Sequence, residues 1–171
     1  MEATYDHIGK GYNNTRKADP FILERIQYHL NPICEGIYLD IGCGTGNYTS
    51  KLHNKETKFI GIDPSQKMLD NAQKNHPTID WKLGSAENIP LKDNTIEGVF
   101  GTLTLHHWND LTQGFSELFR VMKPYANIVF FTATPTQMEG YWLNHYFPKM
   151  LADSLAHMPS LAKIETATNA A

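Results

Sequence analysis

Short apolar runs alternate along the chain with stretches in which apolar residues recur at helical spacing. Five runs have the length of β-strands, at positions 37–41, 58–62, 79–83, 96–102 and 127–132. Before the last run, apolar residues stand at positions 111, 115, 118, 119 and 122, the spacing of one helix face. This alternation predicts βαβ units and a mostly parallel sheet, which indicates an α/β fold.

Local signals place several helix boundaries. The expected N-caps are Asp19, Ser65 and either Asn109 or Asp110. Asn31, which precedes a proline, predicts the end of the first helix. The helix after Ser65 is expected to bury one face, which carries Met68, Leu69 and Ala72. A short helix is also predicted over 47–54.

Residues 135–171 show no convincing strand pattern, and Pro148 and Pro159 divide this tail into short helices or loops. Its aromatic residues line a ligand pocket or, alternatively, belong to a core or an interface: Tyr141, Trp142, Tyr146 and Phe147. We therefore predict a main domain over 1–134, which includes an N-terminal arm at 1–19, followed by a helical tail over 135–171.

Composition narrows the class of protein. The chain has 171 residues, of which 41% are hydrophobic, with a net charge of −3 and a pI of about 6.2. This length suits one domain, and the charge disfavours a surface that coats nucleic acid or an anionic membrane. No apolar run reaches the roughly 20 residues of a membrane span, and the N-terminus lacks a secretory signal pattern. Cys34 and Cys43 make no disulfide framework, which indicates reduced thiols and a cytoplasmic protein.

A glycine-rich turn, 42–46, lies between the first predicted strand and the helix that follows it. Such turns lie at the carboxyl edge of a parallel sheet, where open α/β folds bind ligands. The third glycine comes one residue too early for the dinucleotide fingerprint, and the lysine of a phosphate-binding P-loop is absent. Asp40 before the turn would repel a pyrophosphate and would attract an amino or sulfonium cation. Asp63, at the end of the second strand, can accept hydrogen bonds from ribose hydroxyls.

Five segments together resemble the motifs of class I S-adenosylmethionine-dependent methyltransferases, in the small-molecule group called methyltransferase type 11. These segments are 38–46, 61–69, 84–91, 96–100 and 120–124. The resemblance spans roughly residues 5–133. It implies a Rossmann-like sheet of parallel strands in the order 3-2-1-4-5, with helices on both faces. It also implies S-adenosylmethionine as the cofactor.

The class usually adds two more strands, and the sequence after the fifth predicted strand shows no pattern for them. Either the sequence is shortened, or the tail covers the edge of the fifth strand. An uncovered edge at 128–131 would invite pairing with another chain, so a homodimer is a further expectation.

The resemblance also implies roles for individual residues. The backbone of Gly42 and Gly44, with Asp40, would hold the methionyl part of the cofactor, and Asp63 would hold the ribose. Ser85 stands where the family often has Asp, and its hydroxyl can still meet the adenine amino group. The expected cofactor-binding residues are Tyr12 from the arm, Asp40, Gly42, Cys43, Gly44, Asp63, Pro64, Ser65, Met68, Ser85, Ala86, Glu87 and Thr102.

His106 and His107 follow the fourth strand, whose end should face the transferred methyl group. One of them is a candidate general base, because the pKa of imidazole lies near neutral pH. The alternative is that one histidine caps the next helix and the other packs. Because neighbouring residues usually point in different directions, the two are not expected to act together. No set of His, Cys and carboxylates has metal-ligand spacing, so no metal is expected.

These observations predict methyl transfer from S-adenosylmethionine to a small-molecule acceptor by in-line displacement. The alternatives are a non-catalytic protein or assembly subunit that binds S-adenosylmethionine or S-adenosylhomocysteine, and an NAD-dependent oxidoreductase. A nucleic-acid acceptor is not expected, because the motif of DNA amino-methyltransferases does not follow the fourth strand. The acceptor, and whether O, N or C is methylated, remain open at this point.

Overall fold

One parallel sheet forms the centre of the molecule. A computed structural model of the chain describes residues 17–171, apart from the side chains of residues 143, 148, 150, 151, 153 and 154. The strands are β1 (Ile37–Ile41), β2 (Lys58–Asp63), β3 (Asp80–Leu83), β4 (Ile96–Thr102) and β5 (Met122–Phe131). They are all parallel and lie in the order β3-β2-β1-β4-β5, so the predicted topology is confirmed.

Helices connect the strands and form the tail. They are α1 (Pro20–Leu30), α2 (Thr49–Leu52), α3 (Gln66–Asn75), α4 (Leu111–Val121), α5 (Pro135–Glu139), α6 (Pro148–His157) and α7 (Leu161–Ala170). Two 3-10 turns lie at Leu105–His107 and Trp142–His145. The predicted caps Asp19, Ser65 and Asp110 each accept a backbone N–H at a helix start, and Asn31 ends α1 in the left-handed region.

Apolar side chains cover both faces of the sheet. On one face, β-strand residues such as Leu39 and Val99 pack with α4, and Ala167 of α7 joins this cluster. On the other face, Tyr38 and Phe100 pack with residues of α1. Burial on two faces explains why the strands read as continuous apolar runs. The boundary between a main domain and a tail at residue 134 stays a prediction.

Two element boundaries and one helix face differ from expectation. The predicted helix over 47–54 forms only at Thr49–Leu52, because His53 is extended and its ring accepts the Phe59 N–H. Strand β5 begins five residues early, with a register shift near its start. Phe119 is 40% exposed, and Val121 takes its expected place on the buried face of α4.

A guanidinium clamp ties α4 to the segment that leads into β4. Arg120 donates to the carbonyls of Ile89 and Leu91 and to the carboxylates of Asp93 and Glu117. Glu117 in turn accepts the Ile89 N–H at 2.9 Å. These hydrogen bonds hold the segment 89–93, which leads into β4, against α4. Over residues 17–171, the helices are all too short or too polar to cross a membrane.

Candidate active site

The carboxyl ends of β1, β2 and β4 meet at one edge of the sheet, and the glycine turn 42–46 lies there. The N–H groups of Gly42 and Cys43 both donate to the carbonyl of Ile62 at the end of β2, at 2.8 and 3.0 Å. Parallel pairing thus brings the turn after β1 next to Asp63 on its neighbour. This is the edge at which open α/β sheets bind ligands.

The three glycines of the turn differ in what surrounds them, although each has a positive φ. A Cβ on Gly42 would lie 2.1 Å from Thr104 Oγ1, and one on Gly46 would lie 2.2 Å from the ring of Trp81. A Cβ on Gly44, by contrast, would meet no atom within 4 Å among the residues that the structure describes. Gly42 and Gly46 therefore permit close packing, whereas Gly44 presents bare backbone to open space, where a ligand can approach.

Asp63 organises the turn. Its carboxylate accepts the Gly44 N–H at 2.8 Å through Oδ2 and the Ser65 N–H at 2.9 Å through Oδ1. The side chain of Ser65 then caps α3 by accepting the Met68 N–H. One carboxylate thus links the glycine turn to the start of the next helix, which fixes its position at the end of β2.

Asp40 lies deeper, at 1% exposure. Its Oδ2 accepts the Thr49 hydroxyl at 2.5 Å, whereas Oδ1 is buried and has no hydrogen-bond partner within the described chain. Burial raises the pKa of Asp40 to about 7, the nearby Asp63 charge adds to this rise, and the Thr49 hydrogen bond opposes it. The hydroxyl of Thr45 is a second buried group in the turn without a partner there. Both atoms suit a bound polar ligand.

The segment after β3 differs from expectation in its contacts. Ala86 is buried in the core cluster, and Ser85 is half-buried. Oε1 of Glu87 accepts the backbone N–H groups of Asn109 and Asp110, at 2.7 and 3.3 Å. Glu87 therefore holds the start of α4. No local sequence pattern indicates this contact, because Glu87 and Asn109 are 22 residues apart along the chain.

The remaining predicted cofactor residues are spread around the turn. Met68 is buried, Pro64 is exposed, and Thr102 is half-buried at the end of β4. Burial, with the Asp40 and Asp63 charges, raises the pKa of the half-buried Cys43 thiol. Tyr12 lies outside the described residues. The cofactor contacts of all these residues stay predictions.

The two histidines after β4 lie against each other, contrary to the expectation that they point apart. The 3-10 turn brings their ring centroids to 3.9 Å. Burial, then His107 and His157, lower the pKa of His106 to about 4, and burial and His157 lower the pKa of His107. Sequence reasoning missed His157, because only the packing of the tail brings α6 to this turn.

Thr104 and Trp81 were also missed. Thr104 lies against Gly42 and accepts the indole N–H of Trp108 at 3.3 Å. The ring of Trp81 fills the space over Gly46 and Gly61. The glycines were the available sequence signal for these two contacts. A side chain can pack this close to the backbone only where the residue it meets has no Cβ. Over residues 17–171, His, Cys, Asp and Glu form no group of three that could hold a metal ion.

The sheet order, the glycine turn and the two carboxylates beside it are the features expected of a class I methyltransferase fold. A sequence family described as "Methyltransferase domain" matches residues 39–130. The chain therefore belongs to this family, within the class I S-adenosylmethionine-dependent methyltransferases.

Relatives agree with this assignment. Malonyl-[acyl-carrier protein] O-methyltransferase of Yersinia pestis is 34% identical over 96 residues, which cover 56% of this chain and 36% of the relative. Demethylmenaquinone methyltransferase of Desulfitobacterium hafniense is 33% identical over 126 residues, which cover 66% of this chain and 49% of the relative. The chain thus spans less than half the length of these two curated relatives.

Solved structures share the fold. One from Anabaena variabilis, described as a methyltransferase of an antibiotic biosynthesis pathway, has a TM-score of 0.82 and 32% identity, and the match covers 91% of this chain and 62% of that one. Geranyl diphosphate C-methyltransferase of Streptomyces coelicolor matches with a TM-score of 0.71 at 18% identity, over 87% of this chain and 58% of that one. The second likeness shows the fold alone.

S-adenosylmethionine is the cofactor of this class, and the residues at the sheet edge fit it. The unpartnered Oδ1 of Asp40 suits a cationic amino group, and the open face of Gly44 leaves room for a ligand against the backbone. The buried Asp63 stands beside that face, where hydroxyl groups of a sugar can approach its oxygens.

Proposed function

We propose that this protein transfers a methyl group from S-adenosylmethionine to a small-molecule acceptor. The observation that carries the proposal is Asp40, whose Oδ1 is buried beside the glycine turn without a hydrogen-bond partner among the described residues. A buried carboxylate oxygen of this kind calls for a cationic or hydrogen-donating ligand.

The residues of this chain contribute to the reaction chiefly by binding and orienting the cofactor. The cofactor supplies a methyl group on a sulfonium ion, which an O, N or C nucleophile of the acceptor can displace in line. Asp40 and the backbone of Gly44 would hold the amino-acid end, and Asp63 the ribose, so that the methyl group faces the segment after β4. Such positioning can contribute about 7–11 kcal/mol in favourable cases.

The relatives support a small organic acceptor. One carries the name malonyl-[acyl-carrier protein] O-methyltransferase, and another the name demethylmenaquinone methyltransferase. The net charge of −3 disfavours a nucleic-acid acceptor. The described cysteines, Cys34 and Cys43, are both unbridged, which supports action in the cytoplasm.

The test is calorimetric titration with S-adenosylhomocysteine, followed by a screen for methyl transfer. Asp63→Asn should weaken binding by about 10- to 100-fold, because a charge-assisted hydrogen bond to the ribose is lost. Asp70→Asn, on the exposed side of α3, is the matched control and should bind like the wild type.

Equal affinity in the wild type and Asp63→Asn would remove Asp63 from the site. Binding of S-adenosylhomocysteine without transfer to any acceptor would favour a non-catalytic binding protein. Displacement of S-adenosylhomocysteine by NAD would favour the oxidoreductase alternative.

A further inference from the structure

Thr49 follows the glycine turn as the first residue of α2, and its side chain is completely buried. Its hydroxyl donates to Oδ2 of Asp40 at 2.5 Å, across nine positions of the chain. Asp40 is itself buried, so this hydrogen bond is shielded from water. The pair therefore links the start of α2 to the end of β1 at the site.

The Thr49 hydroxyl departs from the usual local pattern of serine and threonine in helices. Such hydroxyls commonly bond to a carbonyl three or four residues back, as that of Ser50 does with the carbonyl of Asn47 at 3.3 Å. The Thr49 hydroxyl instead reaches a side chain on a strand. Its donor therefore serves the carboxylate rather than the helix.

The position of Thr49 relative to the turn is fixed by contacts on both sides of it. The Ser50 N–H donates to the carbonyl of Gly46 at 2.9 Å, which ties the start of α2 to the turn. Leu52, at the other end of this helix, is buried in the core cluster around Tyr38 and Phe100. Thr49 therefore has little freedom to move away from the carboxylate.

The hydrogen bond makes the two oxygens of Asp40 inequivalent. Oδ2 is occupied by Thr49, whereas Oδ1 is buried without a partner among the described residues. A buried carboxylate oxygen that lacks a partner favours a ligand with a positive charge or a hydrogen-bond donor. Thr49 thus determines which oxygen is left for the ligand.

We propose that Thr49 is a positioning residue of this site, whose hydroxyl holds Asp40 so that Oδ1 receives the cationic amino group of the cofactor. The inference rests on the proposed function and adds to it a residue that acts only through Asp40. A donor to the charged form stabilises that form, so Thr49 opposes the rise of the Asp40 pKa that burial and Asp63 cause. Asp63 on β2 and the Cys43 thiol in the turn are the titratable groups that face this carboxyl.

The experiment measures the affinity for S-adenosylhomocysteine by calorimetry between pH 5.5 and 8.5. Thr49→Val keeps the shape of the side chain and removes the hydroxyl, whereas Thr49→Ser keeps the hydroxyl. The wild type should reach half of its maximal affinity near pH 7. Thr49→Val should move this midpoint up by about one pH unit or more, which lowers the affinity at pH 7 by about fivefold or more. Thr49→Ser should behave like the wild type.

Two further comparisons separate this role from packing. Thr57→Val is the matched control, because Thr57 is also buried but precedes β2, at the amino ends of the strands. It should keep the affinity and the midpoint of the wild type. Asp40→Asn is also compared with the double variant Asp40→Asn and Thr49→Val, which contains no charge at position 40 and remains informative if Thr49→Val alone does not fold. These two should bind S-adenosylhomocysteine within about twofold of each other.

The outcomes distinguish this inference from the proposed function. If Thr49→Val binds like the wild type, or more weakly by a factor that is the same at every pH, the inference fails and the proposed function stands. The same holds if Thr49→Ser behaves like Thr49→Val, or if Thr49→Val weakens binding further when Asp40→Asn is already present. If the wild type does not bind S-adenosylhomocysteine, the proposed function fails, and with it the role of Thr49.

Discussion

A single carboxyl group, that of Asp40, determines much of the chemistry expected at the residue scale. It is removed from water, has one hydroxyl partner and lies near a second carboxylate. Because the folded-state pKa of about 7 exceeds the ordinary 3.8, the folded protein holds a proton that the unfolded chain releases. The contribution of Asp40 to stability is therefore full below pH 4 and is lost as the pH rises through 7.

Binding of S-adenosylhomocysteine should become weaker as the pH falls below 7. A cationic amino group beside Asp40 favours the ionised carboxylate, so the apo protein must release a proton when it binds the ligand. Between pH 7 and pH 6 the affinity should fall about fivefold, because the ionised fraction of a group with a pKa of about 7 falls from about one half to about one eleventh. Calorimetry at both pH values, in two buffers of different ionisation enthalpy, measures the affinity and the proton release together.

Asp40→Asn supplies the control for this pH dependence. The amide keeps the shape of the side chain and cannot titrate, so its affinity should be lower at pH 7 and nearly independent of pH. A wild-type affinity that does not vary over the same range would show that Asp40 does not contact a cation.

At the scale of the element, the strands and caps were predictable from sequence, and the contacts between distant elements were not. Hydrophobic periodicity, helix-capping residues and glycine spacing are signals between residues that are close in sequence. They were therefore sufficient to predict β1, α3 and the glycine turn 42–46. His157 reaches the site only because α6 folds back, and no local signal encodes that return. Glu87 was placed along the cofactor by family resemblance, whereas two nearby N–H groups of the helix start hold its carboxylate.

The guanidinium clamp, formed by Arg120 between α4 and the segment before β4, leads to a prediction about the stability of the fold. Arg120→Lys should lower the free energy of unfolding by about 1–3 kcal/mol, because an ammonium cannot satisfy two carbonyls and two carboxylates in one plane. Urea denaturation measures this loss. Arg25→Lys on α1, where the arginine contacts the exposed His29 and Tyr28, should change the free energy by less than about 0.5 kcal/mol. Equal losses in the two variants would contradict a clamp.

At the scale of the whole molecule, β5 lies at one edge of the described sheet and pairs there only with β4. Its last residue, Phe131, is 39% exposed. Such an edge is a template for another strand. The homodimer suggested by the sequence therefore remains our proposal for this chain in solution.

The dimer can be tested by sedimentation velocity over a range of concentrations. The wild type should associate as concentration rises, and Phe131→Lys should remain monomeric because it places charge on the edge. Phe21→Lys, on α1 and more exposed, should associate like the wild type. A wild type that is monomeric throughout, or an equal effect of both lysines, would rule out this edge as the interface.

The packing of the Trp81 ring over Gly61 restricts which residues homologues can carry at these two positions. A Cβ at position 61 would lie 2.3 Å from that indole. Unlike Gly46, Gly61 has no positive φ, so neighbouring side chains rather than backbone conformation exclude a larger residue there: chiefly the Trp81 ring, and also Cys43 Sγ at 2.9 Å. Homologues with alanine or a bulkier residue at this position must therefore carry a smaller one opposite, and the two sites should covary.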